Sequence, residues 1–165
     1  MTIFDCNFYI KESGLTFKNR NQCYNHWLRI GKGKGIAGSH NMLLNQTYNN
    51  FISALNSIQD YECPCQKSLN HRKFNRLWYI IHKISYQYDK LNNEKLFRLV
   101  IDDLKKIKCK ICNRHYWHFL KKHDINNVIN SKANFILFFL NLHNEINESN
   151  NKKKYTLEEC DKIYK

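Results

Sequence analysis

Four consecutive segments with apolar residues at helical spacing constrain this chain more than any other feature. Leu69 to Tyr88 carries Phe74, Leu77, Trp78, Ile81, Ile84 and Tyr88 on one side. Asn93 to Ile107 carries Leu96, Phe97, Val100, Ile101 and Leu104, with Asn93 as its expected N-cap. Cys109 to about Lys122 is the third segment. Ser131 caps the fourth, which runs to about Glu148 and buries Phe135, Phe138, Phe139, Leu142 and Ile146. Connections such as 89–92 and Lys108 are short enough for antiparallel neighbours. With one Pro and five Gly, the sequence lacks the turn residues of an all-β protein. The expected class is all-α, built on a four-helix bundle.

The only proline lies in Asp60-Tyr61-Glu62-Cys63-Pro64-Cys65 and interrupts the helical pattern. It sets the expected division between an N-terminal extension, 1–62, and a bundle domain, 63–165. Within the extension, Tyr48, Phe51, Ile52, Leu55 and Ile58 predict an amphipathic helix over 46–59. Gly31-Lys-Gly-Lys-Gly-Ile-Ala-Gly38 reads as a flexible basic loop. It lacks phosphate-cradle spacing and follows no clear strand. The tail from Asn151 is basic and polar, with Tyr155 and Cys160 as its distinctive residues.

A formal net charge of +13 favours acidic partners, nucleic acid first, although charge speaks to association rather than fold. No window reaches the roughly 18 apolar residues of a membrane span. The first residues show neither an apolar run of secretory length nor a small-residue cleavage site. The expected location is therefore cytoplasmic, with no membrane partner. Stable disulfides are rare there, so seven cysteines point towards metal binding or catalysis.

Cys109-Lys-Ile-Cys112 places two sulfurs one helical turn apart at a helix start. Backbone N–H groups and the positive dipole end stabilise a thiolate there, and Lys108, Lys110 and Arg114 act in the same direction. Dithiol redox chemistry needs such a pair; half of a zinc site has the same spacing. Cys63 and Cys65 could close a small, easily reduced ring, remain two thiols, or ligate a metal. Polar residues also recur on the apolar faces: Trp78 with His82, Cys112 with His115, and His143 with Asn144 and Asn147. Together they suit a flat aromatic cofactor with polar edges, such as a flavin.

Trp78-x-x-x-His82, Cys109-x-x-Cys112-x-x-His115-Tyr116 and His143-Asn144-x-Ile146-Asn147, followed by Lys154-Tyr155, resemble the Erv/ALR-type FAD-linked sulfhydryl oxidases. The match runs from about Leu69 to Cys160, and size and lack of a leader are similar to the viral members, which act in host cytoplasm or virion. The resemblance implies FAD in the bundle core, surrounded by Trp78, His82, His115, Tyr116, His143, Asn144, Ile146, Asn147, Lys154 and Tyr155. It implies Cys112 as the sulfur beside the flavin and Cys109 as the exposed exchange partner. Reduced protein thiols would be the substrates, O2 the acceptor and H2O2 the product, with a homodimer as the common form. Cys63 and Cys65 are the candidate shuttle, with a structural role as the alternative.

Departures are visible. Phe74-Asn75 replaces the family's Gly-Arg, and Ile107-Lys108 its Tyr-Pro. Leu140 stands where many members have a cysteine that staples the helix to the tail, which leaves Cys160 without that partner. The rival reading is a zinc-stabilised, basic nucleic-acid-binding module using Cys63, Cys65, Cys109 and Cys112. It leaves Trp78, His82, His143 and Asn147 unexplained.

Overall fold

The computed structural model describes residues 4–58 and 71–165. Those residues form helices and connecting turns without strands, as the scarcity of Pro and Gly predicts. None of these helices is long and apolar enough to cross a membrane. Two compact units divide after Thr47, inside a helix, whereas the expected boundary at 62/63 lies outside the described residues.

The N-terminal unit begins with α1 (Cys6–Ser13), capped by Asp5, whose side chain accepts the Phe8 N–H. It ends at Gly14, where φ is 68°. The next helix, α2 (Arg20–His26), is capped by Asn19 and runs into a π-helical turn, Trp27–Gly31. Phe4, Tyr9, Cys23 and Trp27 form its core. Cys6 and Cys23 are joined as a disulfide with Cα atoms 6.0 Å apart. For these two cysteines the disulfide corrects the expectation of metal binding or catalysis. A unit this small buries little apolar surface, and a cross-link between α1 and α2 restricts its unfolded chain instead.

The glycine stretch is a loop as expected, with turns over 32–35 and a bend at 38–39. Ile36 N–H donates to Gly31 O at 2.9 Å, and Trp27 Nε1 donates to Ile36 O at the same distance. A Cβ at Gly38 would lie 2.7 Å from Trp27 Cε2, and one at Gly31 would overlap the Tyr9 ring. At Gly31 and Gly38 glycine is needed for close packing against aromatic rings.

α3 (His40–Asn56) starts earlier than its apolar spacing predicts. Its C-terminal half belongs to the second unit and buries Phe51, Ala54 and Leu55. There follow α4 (His71–Tyr86), α5 (Lys90–Leu104), α6 (Lys110–Leu120), the short α7 (Ile125–Val128), α8 (Lys132–Ser149) and α9 (Leu157–Tyr164). The four expected bundle segments correspond to α4, α5, α6 and α8. α8 is central: Phe135, Ile136, Phe138, Phe139, Leu140 and Leu142 are all buried, and it packs on α4, α6 and α7.

Its aromatic residues fix the neighbours. Phe135 meets Phe97 edge-on at 4.9 Å and stacks on Tyr88 at 5.1 Å, and Phe138 meets Phe119 edge-on at 5.1 Å. Asn93 is not a cap, because its N–H already donates to Asp89 O within α5. α9 was not expected from the polar tail. It opens on a capping box, Thr156 with Glu159, and buries Cys160 beside Tyr86, Ile136 and Leu140. Packing thus holds the tail where a disulfide was expected to be missing.

Candidate active site

The two sulfurs of C-x-x-C have different surroundings. Cys109 is itself the N-cap of α6: its Sγ accepts the Cys112 N–H at 3.2 Å. Its residue is fully buried, which corrects its expected exposure. Cys112 is half-buried, in the wall of an apolar cavity formed by Phe74, Leu77, Trp78, Ile81, Tyr116 and Ile146, among others. Burial, then the adjacent Cys109 sulfur, push the Cys112 thiol well above its ordinary pKa. Of the helix-start N–H groups expected to stabilise a thiolate, that of Cys112 serves the Cys109 sulfur. Both residues are free thiols.

The start of α6 is held from α5. Asn113 Nδ2 donates to Lys105 O at 2.5 Å, and the Tyr116 hydroxyl donates to Ile101 O at 2.9 Å. These bonds position the turn that carries the cysteines.

Trp78, which lines the apolar cavity, also lines a second cavity of about 390 Å³, with His82, His143, Asn147 and Tyr155. Trp78 and the His143 ring lie parallel, 3° apart in orientation, with centroids 4.2 Å apart. His82 Nε2 and His143 Nδ1 are 3.0 Å apart and share a proton-bearing contact. Burial lowers the His82 pKa to about 4; burial, then the charges of His82 and Lys152, lower that of His143 to about 3. Both imidazoles are therefore neutral at pH 7. His82 Nδ1 is buried without a hydrogen-bond partner.

The chain from residue 75 to 165 matches the family model for the Erv1 / Alr family, more than half of its length. The chain belongs to the Erv1/Alr family. No curated protein and no solved structure matches it. Membership makes it a thiol oxidase in general terms, from a family whose members are generally flavin-linked.

Against the family expectation, Trp78, His82, His143, Asn147 and Tyr155 gather at one cavity, and Tyr116 and Ile146 join Cys112 at the other. Asn144 does something else: its amide donates to Tyr155 O and accepts the Tyr155 N–H, both at 2.8 Å. Asn147 Nδ2 similarly donates to Lys153 O at 3.1 Å. The two amides of the H-N-x-I-N segment thus fasten the tail over α8. His115 is exposed and lines neither cavity. Lys154 pairs with Glu148 at 2.7 Å, whereas the lysines at the cavity are Lys152 and Lys153.

The sequence reading missed Tyr79 and Tyr164 and named Asn75 only as a departure from the family pattern. Asn75 and Tyr79 lie three residues before Trp78 and His82, on the same helical face, so spacing could have found them. Tyr164 stacks on His82 at 5.1 Å and was legible only through the capping box of α9. Cys63 and Cys65, and with them the shuttle and the four-thiolate zinc alternative, lie outside the described residues.

Proposed function

We propose that this Erv1/Alr protein is an FAD-linked sulfhydryl oxidase that forms disulfides in protein substrates. The observation that carries the reading is Cys112 in the wall of an apolar cavity that shares Trp78 with the paired-imidazole cavity. The donor set fits the cofactor. Trp78 and His143 form a parallel aromatic pair, His82 has an unpartnered Nδ1, and Lys152 and Lys153, the latter ion-paired with Glu159, also line the cavity. These residues, with Asn147 and Tyr155, would hold FAD. Bound FAD would take two electrons from the reduced cysteine pair and pass them to O2, giving H2O2.

The rest is thiol exchange. With Cys109 and Cys112 joined, a substrate thiolate attacks Cys109 Sγ, forming a mixed disulfide and breaking the Cys109–Cys112 bond. The second substrate thiol then attacks its own mixed disulfide and releases Cys109, leaving two reduced cysteines and one substrate disulfide. Because Cys109 is buried, exchange requires the α5–α6 turn to open. Cys63 and Cys65 would relay electrons from protein substrates to this pair.

A visible absorption spectrum and oxygen uptake with dithiothreitol test the proposal. A yellow protein that consumes O2 only with dithiol supports it. A colourless protein, unfolded by chelator, would favour the zinc module instead.

A further inference from the structure

The surface around the start of α6 carries more positive charge than one thiolate requires. Between Leu104 and Lys122 the sequence holds Lys105, Lys106, Lys108, Lys110, Arg114, Lys121 and Lys122, and no Asp or Glu. Three of these cations are neutralised locally: Lys105 by Asp102, Lys106 by Asp103 and Lys122 by Glu145. Lys108, Lys110 and Arg114 are exposed and meet no carboxylate among the described residues. Lys108 and Lys110 flank Cys109, and Arg114 lies one turn beyond Lys110 on α6.

Apolar groups are exposed on the same helix. Ile111, between the two cysteines, is 40% exposed and Trp117 is 43% exposed. Lys105 Nζ sits 5.4 Å from the Trp117 ring centroid, so cation and aromatic face are presented together. An exposed aliphatic and an exposed indole, rimmed by unpaired cations, are the features of a polypeptide-docking face.

We propose that this face docks an acidic segment of a protein substrate that carries the dithiol to be oxidised. The inference rests on the thiol-oxidase reading above and adds the substrate class. Opposite charge would raise the encounter rate and align the substrate over Cys109, and Ile111 would give it an apolar seat. A polynucleotide would meet the same cations but brings no thiols to the pair they surround. Exposed charges are screened over about 8–10 Å at physiological ionic strength, so the preference for acidic substrates fades as salt rises.

The test compares oxidation of three reduced synthetic peptides with the same dithiol spacing, flanked by glutamate, serine or lysine. Dithiothreitol turnover by the same protein normalises each rate for thiol reactivity. At low salt the normalised kcat/KM should be at least about tenfold higher for the glutamate peptide than for the lysine peptide, with the difference in KM. The combined variant Lys108→Glu, Lys110→Glu, Arg114→Glu should reverse that order, and salt should flatten it in both proteins.

Equal normalised rates for the three peptides, with dithiothreitol still oxidised, would overturn the docking inference alone. Binding of a labelled single-stranded DNA that is lost in the variant, without a peptide preference, would overturn it in favour of nucleic acid. Failure of the wild-type protein to oxidise any dithiol would refute the oxidase reading itself.

Discussion

The two units of this chain use cysteine in opposite ways. In the N-terminal unit, Cys6 and Cys23 come from different helices and are joined. In the second unit, Cys109 and Cys112 share one helix start and remain thiols, one capping the helix and the other facing an apolar cavity. A long loop between cysteines removes chain entropy from the unfolded state, so its disulfide suits a staple. A C-x-x-C pair constrains almost no chain, so its value lies in what surrounds each sulfur. The surroundings therefore separate structural from chemical cysteines better than a cysteine count does.

The sharpest way to break the comparison is to exchange single sulfurs for oxygen. Cys112→Ser should retain flavin yet lose dithiothreitol oxidation by at least about a thousandfold, measured as oxygen uptake. Normal turnover in that variant would remove Cys112 from the site. Replacing His143 and Asn147 together with Leu should leave less than about a tenth of the wild-type flavin content and lower the melting temperature, because a ligand of the folded state stabilises it. Undiminished flavin would mean that the second cavity holds something else.

Changing both Cys6 and Cys23 to Ser should have the reverse signature. Dithiothreitol turnover should stay within about twofold, while the N-terminal unit loses about 2–5 kcal/mol and becomes sensitive to protease. A matching loss of turnover would show that this pair also takes part in electron transfer.

The smallest effect is one of pH. Free imidazole titrates near about 6.5, but His82 is lowered to about 4 and His143 to about 3. Below about pH 6.5 the unfolded chain therefore binds protons that the folded one refuses, and stability falls as pH falls. Above that pH both forms are neutral and the contribution is constant. Cofactor-free protein should lose several degrees of melting temperature between pH 7 and 5, and His143→Phe should flatten the curve. An equal slope in the variant would contradict the burial of these rings.

Much of the bundle was legible because long amphipathic helices repeat their signal every turn. The expected apolar positions of α4 and α8 are buried except Trp78 and Ile146, which are half-buried at the cavities, and Ser131 caps α8 as expected. Trp78, His82, His143 and Cys112 were legible as well, since each repeats the helical spacing of its own segment. What stayed hidden depends on tertiary contact. Nothing local in Gly31 or Gly38 shows that Tyr9, Trp27 and Phe4 press on them. Nor does local sequence show that Asn144 would clamp Tyr155. The boundary of α5 was misread because Asn93 suits a cap, whereas Asp89 O already accepts its N–H. The burial of Cys109 was likewise invisible, since its neighbours Lys108 and Lys110 are exposed and its own position gives no helical-face signal.

The account turns on electrons passing from a dithiol through Cys112 to a flavin. Anaerobic titration of the purified protein with dithiothreitol, followed by visible absorbance, tests that most directly. The wild-type protein should be yellow and its flavin band should bleach as dithiol is added, whereas Cys112→Ser should stay yellow on the same timescale. A wild-type band that survives excess dithiol, or equal bleaching in both proteins, would contradict the account.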